Sequence, residues 1–432
     1  MTKDGVATVG TFTFRLSRRQ IAAICAGNAL EFYDFVVYAI FAAQIGRAFF
    51  PFDRPGISLL ASLATFGVGF ATRPLGAFVI GRMADRVGRK PAMLLSFSLI
   101  GVSVGGLALT PGYATIGIAA PVLAVTFRLL QGFALGGEVG PSTALLLESA
   151  PIHRRGLFVS LQAMSSDGAV MVAGFVGVIL STTLDPAAVD AWGWRLALLI
   201  GLTILPFALA ARRTLVETLV MEEALAPSIA MAGTRRVVVL GLLMLAGATV
   251  ANYVLVYLGT WASSTLGIVQ RSAFASVMLV GLGGVLCDPL SGWLSDRFGR
   301  RPVMIIPAAT LALIVLPAFW WVAHHPSPHS LYAASTVLAC VLDLSTGTIL
   351  VAVAEALPRA RRAGGFALIY AVAISAFGGS TQFAVAGLIR LTGDPLTPAY
   401  YMLVALIIAL TAMWHFPETR LNVSVRRSAR RR

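Results

Sequence analysis

"GRMADRVGRKPAM", residues 81–93, is a charged stretch between two apolar ones, and it recurs as "GWLSDRFGRRPVM" at residues 292–304. The offset is 211 residues, and a second pair, "ESAPIHRRG" from Glu148 and "EALPRARRAG" from Glu355, repeats at an offset of 207. Two repeats at nearly the same offset predict a chain built of two related halves in parallel arrangement.

The stretches around these loops have the composition of membrane spans. Of the 432 residues, 57% are hydrophobic and only 12% are charged, which is about half the charged fraction of a soluble protein. A helix needs about 20 mostly apolar residues to cross the hydrocarbon layer. We therefore predict an all-α integral membrane protein with twelve transmembrane helices, six in each half, over residues 20–48, 57–81, 91–111, 117–147, 157–183, 192–212, 236–264, 272–294, 302–323, 330–356, 364–390 and 398–416.

The basic residues are unevenly distributed along the chain. The net charge is +14, and 26 of the 33 lysines and arginines lie in the two tails and in every second loop. This is the positive-inside bias, which places both termini and those loops in the cytoplasm and argues against a nucleic-acid partner. The predicted organisation is an amino-terminal half over 1–212, a cytoplasmic linker over 213–235, a carboxyl-terminal half over 236–416 and a basic tail over 417–432.

Cysteine and histidine give no sign of a metal site. Cys25, Cys287 and Cys340 fall in apolar stretches at unrelated spacings, which favours packing over disulfides. Three of the five histidines cluster in the loop 324–329, where a solvated polar loop is favoured over metal ligation. We expect no metal and no cofactor.

Acidic residues within the first span are the strongest functional signal. Glu31 and Asp34 in "GNALEFYDF", residues 27–35, are spaced i, i+3 and share one helical face. Ionisable groups inside a membrane are costly and mark functional sites, and burial favours the neutral, proton-carrying form of a carboxyl. Arg128 in the fourth span is the candidate cation for this face, and Glu138, about three turns further, is a second candidate proton carrier.

Arg73, in the middle of the second span, has two interpretations. Its planar guanidinium suits a bidentate contact with a substrate carboxylate. Alternatively, it pairs with Glu31 or Asp34.

The repeated loop, together with "RLLQGFALGGE" at residues 128–138 and "GNALEFYDF", resembles the major facilitator superfamily. More narrowly, the chain is similar to the metabolite:proton symporter branch, whose members import carboxylates such as citrate, 2-oxoglutarate and shikimate, or osmolytes such as proline and betaine. "TPGYATIGIAAPVL", "AWGWR" and "RLTGDPLTPAYYM" resemble citrate and tricarballylate symporters most. The resemblance implies proton-coupled import of citrate or a related organic acid by alternating access, in the bacterial inner membrane, surrounded by lipid. We expect a monomer.

The resemblance also implies roles for individual residues. A first-span acid and a fourth-span arginine form an ion pair in proton-coupled members, and protonation of the acid frees the arginine for an anionic substrate. The predicted proton-coupling residues are Glu31, Asp34, Arg128 and Glu138. The predicted substrate-binding residues are Asn28, Tyr33, Tyr38, Arg73, Arg128, Gln131, Asp288 and Asp343.

The repeated loops predict a gate at the cytoplasmic side. Glycines at the turn let helices approach, an acid can face the amino end of a neighbouring helix, and Glu148 and Glu355 are natural partners for the loop arginines. The resemblance assigns such clusters the role of holding the inner side shut. The predicted gate residues are Gly81, Asp85, Arg86, Gly88, Arg89, Glu148, Arg155, Asp296, Arg300, Glu355 and Arg362.

Three observations bear on alternative functions. Asp288 and Asp343 place acids where a tricarboxylate site would carry neutral groups. They bind protons, pair with Arg390 or Arg73, or face a cationic group on the substrate. A zwitterionic substrate such as betaine or proline therefore stays an open alternative. Asp167 receives no role. An exporter of the same superfamily is disfavoured because "LQAMSSDGAVMVAGFVGVILS" in span five lacks the proline typical of antiporters. Neither a selectivity filter nor a cofactor fingerprint or constellation of nucleophilic residues occurs.

Overall fold

The computed structural model describes residues 17–53, 56–87, 89–136, 139–213, 231–358 and 362–419, and these are helical nearly throughout. Within the described residues, π-helical segments at Val189–Gly193 and Ile374–Gly378 interrupt the α-helices. The helices are α1 (Arg18–Ile40), α2 (Ala42–Phe49), α3 (Ile57–Ala71), α4 (Arg73–Val87), α5 (Arg89–Leu109), α6 (Tyr113–Ile116), α7 (Ala119–Leu135), α8 (Val139–Ser149), α9 (Arg155–Thr183), α10 (Pro186–Ala188), α11 (Trp194–Arg213), α12 (Met231–Ser264), α13 (Gln270–Phe298), α14 (Arg300–His324), α15 (Pro328–Ala356), α16 (Arg362–Ala373), α17 (Gly379–Thr392) and α18 (Thr397–His415).

The helices agree with the predicted spans. Within the described residues, nine helical stretches are long and apolar enough to cross a membrane. The other three predicted spans, 91–111, 117–147 and 192–212, coincide with α5, with α7 and α8, and with α11. Large apolar side chains are also exposed, among them Leu313 at 77% and Leu391 at 83%, as expected of surfaces that face lipid rather than water. The predicted all-α membrane fold is confirmed.

Local sequence sets where several helices begin and end. At the start of α1, the Ser17 hydroxyl accepts the N–H of Gln20, whose side chain accepts the N–H of Ser17 in return. Ser327 and Pro328 begin α15 in the same way, with a capping box closed by Ser330. Gly299 ends α13 with a φ of 106°, a backbone conformation that favours glycine, so the second charged loop turns sharply there.

Helices α9 and α13 form the central contact between the two halves. Their backbones approach closely because the helix surfaces carry glycine: a Cβ placed on Gly281 would lie 2.5 Å from the carbonyl oxygen of Asp167. Close packing of this kind supplies the van der Waals contact that holds membrane helices together. On another side, the hydroxyl of Ser375 in the π-helical segment donates to the carbonyl oxygen of Phe70 in α3, 2.9 Å away.

The predicted domain boundaries remain predictions. Most of the predicted linker, residues 214–230, lies outside the described residues, and α12 begins at Met231, before the predicted end of the linker. The basic tail is described as far as residue 419.

Candidate functional site

A cavity lies between the two halves, near the middle of the helices. It holds about 930 Å³ of empty space, including the part that opens to solvent. Its walls come from α1, α3, α8 and α9 of the first half and from α12, α15, α16 and the following π-helical segment of the second. The polar groups in these walls are Asn28, Thr143, Gln162, Ser166, Asp167, Thr249, Asn252, Tyr253, Thr346 and Tyr370.

Asn28 organises the first-half wall of the cavity. Its amide Nδ2 donates to the carbonyl oxygen of Gln162 at 3.0 Å and lies 2.9 and 2.8 Å from the hydroxyls of Ser165 and Ser166. The Gln162 side chain is itself held by the Thr143 hydroxyl at 2.6 Å. Of the predicted substrate residues, Asn28 is the one that lines this cavity. Sequence reasoning missed Thr143 and Gln162, because uncharged polar residues are common in apolar helices and signal little on their own.

Arg128 lies one side-chain layer behind the wall. It is 1% exposed, and its guanidinium carbon lies 4.3 Å from the ring centres of Phe35 and Tyr38 and 5.1 Å from that of Phe66. Nη1 donates to Gln131 at 2.6 Å. Nε and Nη2 donate to no acceptor among the described residues. Arg128 is therefore a buried cation with unused hydrogen-bond donors beside rings that line the cavity.

Arg73 contacts the same Phe35 ring. Its guanidinium carbon lies 4.7 Å from the ring centres of Phe35 and Phe70. Its Nη2 is 3.9 Å from Oε1 of Glu31. The Phe35 ring, which lines the cavity, thus contacts two guanidinium groups, and the first-span acid that pairs with an arginine is Glu31.

Asp34 takes a different position. It is 3% exposed and packs against α11 at Gly201, where any side chain would meet its carboxylate. No ion pair within 4.0 Å joins Asp34 to Arg128 in the described part of the chain. An Asp34–Arg128 ion pair, one form of the pair that the resemblance implies, is therefore absent from the described residues in this conformation.

Two of the predicted substrate-binding tyrosines are used in packing. The Tyr33 hydroxyl donates to the carbonyl oxygen of Ala197 at 3.0 Å, and that of Tyr38 donates to the carbonyl oxygen of Ser62 at 3.3 Å. Neither lines the cavity.

Three acids from separate helices meet next to the cavity. Asp167 on α9, Asp288 on α13 and Asp343 on α15 each place a carboxylate oxygen within 4.8 Å of the other two. All are buried, with 6%, 0% and 2% of their surfaces exposed. Asp167 also lines the cavity. Sequence spacing could not reveal this group, because its members are far apart along the chain.

An ion network joins the halves at the end that carries the basic loops. The carboxylate of Asp296 accepts the backbone N–H groups of Gly156 and Leu157, at 2.9 and 3.0 Å, in the first turn of α9. Arg300 lies 2.9 Å from Asp296 and 3.0 Å from Glu355. An anion at a helix amino end is favoured by the helix dipole and the unpaired N–H groups. This network joins the two halves at that end.

A second contact across the halves joins Arg362 to Glu148 at 3.3 Å. The structure thus brings together predicted gate residues of both repeats, whose gating role stays a prediction. Arg155 is the first residue of α9, and Gly81, Asp85, Arg86 and Arg89 lie on α4 and α5. Gly88 and Glu138 lie outside the described residues.

Comparisons with known proteins give one consistent result. The family model described as "Sugar (and other) transporter" matches residues 20–223 and 212–423. The citrate-proton symporter of Klebsiella pneumoniae is 35% identical over 402 residues, covering 91% of this chain and 90% of that protein. The alpha-ketoglutarate permease of Escherichia coli is 31% identical, covering 96% and 98%. The proline/betaine transporter of Salmonella typhimurium is 30% identical, covering 93% and 84%.

Solved structures share the fold. A partially occluded inward-open conformation of the xylose transporter XylE from Escherichia coli superposes with a TM-score of 0.76 at 17% identity, covering 93% of this chain and 98% of that one. Its inward-open conformation gives a TM-score of 0.71 at 18% identity, covering 95% and 98%.

Proposed function

The chain belongs to the major facilitator superfamily, within the sugar (and other) transporter family, and from that premise we propose that it imports a small organic acid together with protons. It is a multi-pass membrane transporter, and its relatives are transporters rather than enzymes. We assign it to the bacterial inner membrane as a monomer surrounded by lipid. The substrate class we favour is citrate or a related di- or tricarboxylate.

The observation that carries this proposal is the environment of Arg128. A fully buried guanidinium with two donor nitrogens unused is costly, because unpaired buried donors lose their hydrogen bonds to water. A carboxylate in the cavity would supply the missing acceptors if the Phe35 ring turned aside. Arg73, which contacts the same ring, would meet a second carboxylate. Two guanidiniums thus suit a substrate with two or three negative charges.

Glu31 supplies a route for proton coupling. In the present arrangement it neutralises Arg73 at 3.9 Å. Protonation of Glu31 would release Arg73 for the substrate, and loss of that proton on the other side would let the pair form again and expel the anion. Asp34, buried on the same helical face, is the second proton carrier we propose.

Alternating access would use the ion network as its inner gate. With Asp296 bound to the first turn of α9, the end carrying the basic loops is closed. Binding of proton and substrate would favour the opposite arrangement, in which this network separates and the cavity opens to the cytoplasm.

A zwitterion such as betaine or proline is the second candidate substrate. The observation in its favour is Asp167, a carboxylate in the cavity wall that could face a cationic group. Such a substrate would place its single carboxylate towards the arginines and its cationic end towards α9.

Uptake into proteoliposomes tests the proposal. Vesicles containing the purified protein should accumulate labelled citrate or tricarballylate when the outside is made acidic, and should stop when the proton gradient is collapsed. Empty vesicles are the control. If the vesicles accumulate betaine or proline but neither citrate nor tricarballylate, the substrate is the zwitterion and not an organic acid. Accumulation driven by an acidic lumen would indicate export.

A further inference from the structure

We propose that Asp167, Asp288 and Asp343 form a binding site for a divalent cation of about the size of Ca²⁺, located between the two halves beside the central cavity. The site draws one ligand from the first half, on α9, and two from the second half, on α13 and α15. No role in the proposed proton and substrate cycle uses these three residues together.

The geometry suits a metal ion with oxygen ligands. One carboxylate oxygen from each acid lies within 4.8 Å of the other two. Ca²⁺ binds oxygen at about 2.3–2.6 Å in flexible geometry, so one ion can bridge three oxygens within this distance of one another, whereas Mg²⁺ demands a near-ideal octahedron at about 2.0–2.1 Å and usually keeps several waters. A single proton can be shared between two carboxylates, but a central cation attracts all three.

Asp288 gives independent evidence for a ligand. It has no exposed surface, and neither of its carboxylate oxygens accepts a hydrogen bond from the described residues. A buried carboxylate without a partner is strongly disfavoured unless a cation or a proton satisfies it. A bulky cationic group on an organic substrate could not reach Asp288, because no surface of this residue is exposed; a bare metal ion entering past Asp167 could.

The surroundings provide no positive side chain for these acids. Among the described residues, no arginine or histidine nitrogen lies within 4.0 Å of the three carboxylates. The helices are instead shaped to let the acids meet: a Cβ on Gly284 of α13 would lie 2.5 Å from Oδ2 of Asp167. When all three acids are ionised, their like charges need a compensating charge, and a divalent ion supplies more of it than a monovalent ion.

Metal binding to the full-length protein tests this site without any transport assay. After treatment with a chelator, the purified protein is dialysed against radioactive Ca²⁺, and its thermal unfolding is followed with Ca²⁺, Mg²⁺ or Na⁺ at matched ionic strength. We expect saturable binding of one Ca²⁺ per chain and a higher unfolding temperature with Ca²⁺ than with Mg²⁺ or Na⁺.

Variants locate the ion. Asp288→Asn and Asp343→Asn should lower Ca²⁺ affinity at least tenfold, whereas Asp53→Asn, which alters an exposed acid outside the group, should bind as the unmodified protein does. Failure of the unmodified protein to bind Ca²⁺, unchanged binding by Asp288→Asn, or equal stabilisation by Na⁺ would each overturn the proposal. The first and third outcomes need no variant, so a variant that fails to fold leaves the test intact. Failure of organic-acid uptake would not alter these results.

Discussion

Phe35 is the residue that links the cavity to the buried charges. Its ring contacts the guanidiniums of both Arg73 and Arg128, and the ring itself lines the cavity. Each such contact is worth about 0.5–2 kcal/mol when desolvated. Contact with the ring therefore partly offsets the repulsion between the two cations. Carboxylates of a bound substrate can stabilise the two arginines in place of the ring.

Arg128→Lys should raise the KM for a tricarboxylate roughly ten- to a hundredfold. An ammonium keeps the charge but lacks the planar pair of donors, and each lost charge-assisted hydrogen bond costs about 1.5–3 kcal/mol. Initial rates of uptake into proteoliposomes measure the change. Arg195→Lys is the matched control, because Arg195 donates to the carbonyl oxygens of Ala108 and Thr110, away from the cavity. Equal KM values for the two variants would exclude Arg128 from the substrate site.

Glu31→Gln should abolish accumulation against a gradient while preserving exchange of internal for external substrate. The neutral amide imitates the protonated acid, so Arg73 stays released and the proton no longer has to bind. Counterflow and gradient-driven uptake, measured on the same vesicles, separate the two activities. Asp34→Asn serves for comparison: if it shows this phenotype and Glu31→Gln accumulates normally, the coupling proton binds at Asp34.

At the scale of helices, α9 and α13 combine packing with the contact proposed as the gate. Near the middle, Gly281 lets their backbones touch, and at one end Asp296 of α13 binds the first turn of α9. The contact is therefore continuous in this conformation. To open that end, the first turn of α9 must lose the Asp296 carboxylate that accepts its N–H groups. The free energy of this contact is part of the energy barrier between the two states.

Asp296→Asn should shift the protein towards the state open at the basic-loop end. An amide is a weaker acceptor for the N–H groups of Gly156 and Leu157 and no longer attracts Arg300. In a background without native cysteines, Ser166→Cys in the cavity wall should react faster with a maleimide added from that end.

Asp190→Asn is the control for this experiment, since the ion pair of Asp190 with Arg47 lies within the first half at the opposite end. It should leave the labelling rate unchanged. Slower labelling of Asp296→Asn would show that Asp296 does not hold the gate closed.

The sequence predicted the helices better than the contacts between them. Hydrophobic length and charge located all twelve helical segments because each depends on about 20 consecutive residues. Glu31 and Arg73 could be singled out because charges inside spans are rare. Which acid meets which arginine, and that Asp167 joins Asp288 and Asp343, depend on helix rotation and crossing, which no local pattern encodes.

At the scale of the whole molecule, the orientation in the membrane is a prediction still to be tested. Most basic residues lie in the tails and alternate loops, so both termini should be cytoplasmic. A reporter phosphatase that is active only in the periplasm should be inactive when fused after residue 432. The same reporter inserted at residue 326, in the loop between α14 and α15, should be active. Activity at the carboxyl end would reverse the assigned orientation and place the ion network outside.

The last described residues have a practical consequence for handling the protein. The carboxylate of Glu418 accepts the backbone N–H groups of Arg300 and Arg301, at 2.9 Å each, and the Thr419 hydroxyl donates to Glu355. The carboxyl-terminal segment is thus bound to the beginning of α14, beside Arg300 of the proposed gate. Affinity tags and truncations at this end should leave residues up to 419 intact, since a cut before Glu418 would change the working cycle rather than merely shorten the chain.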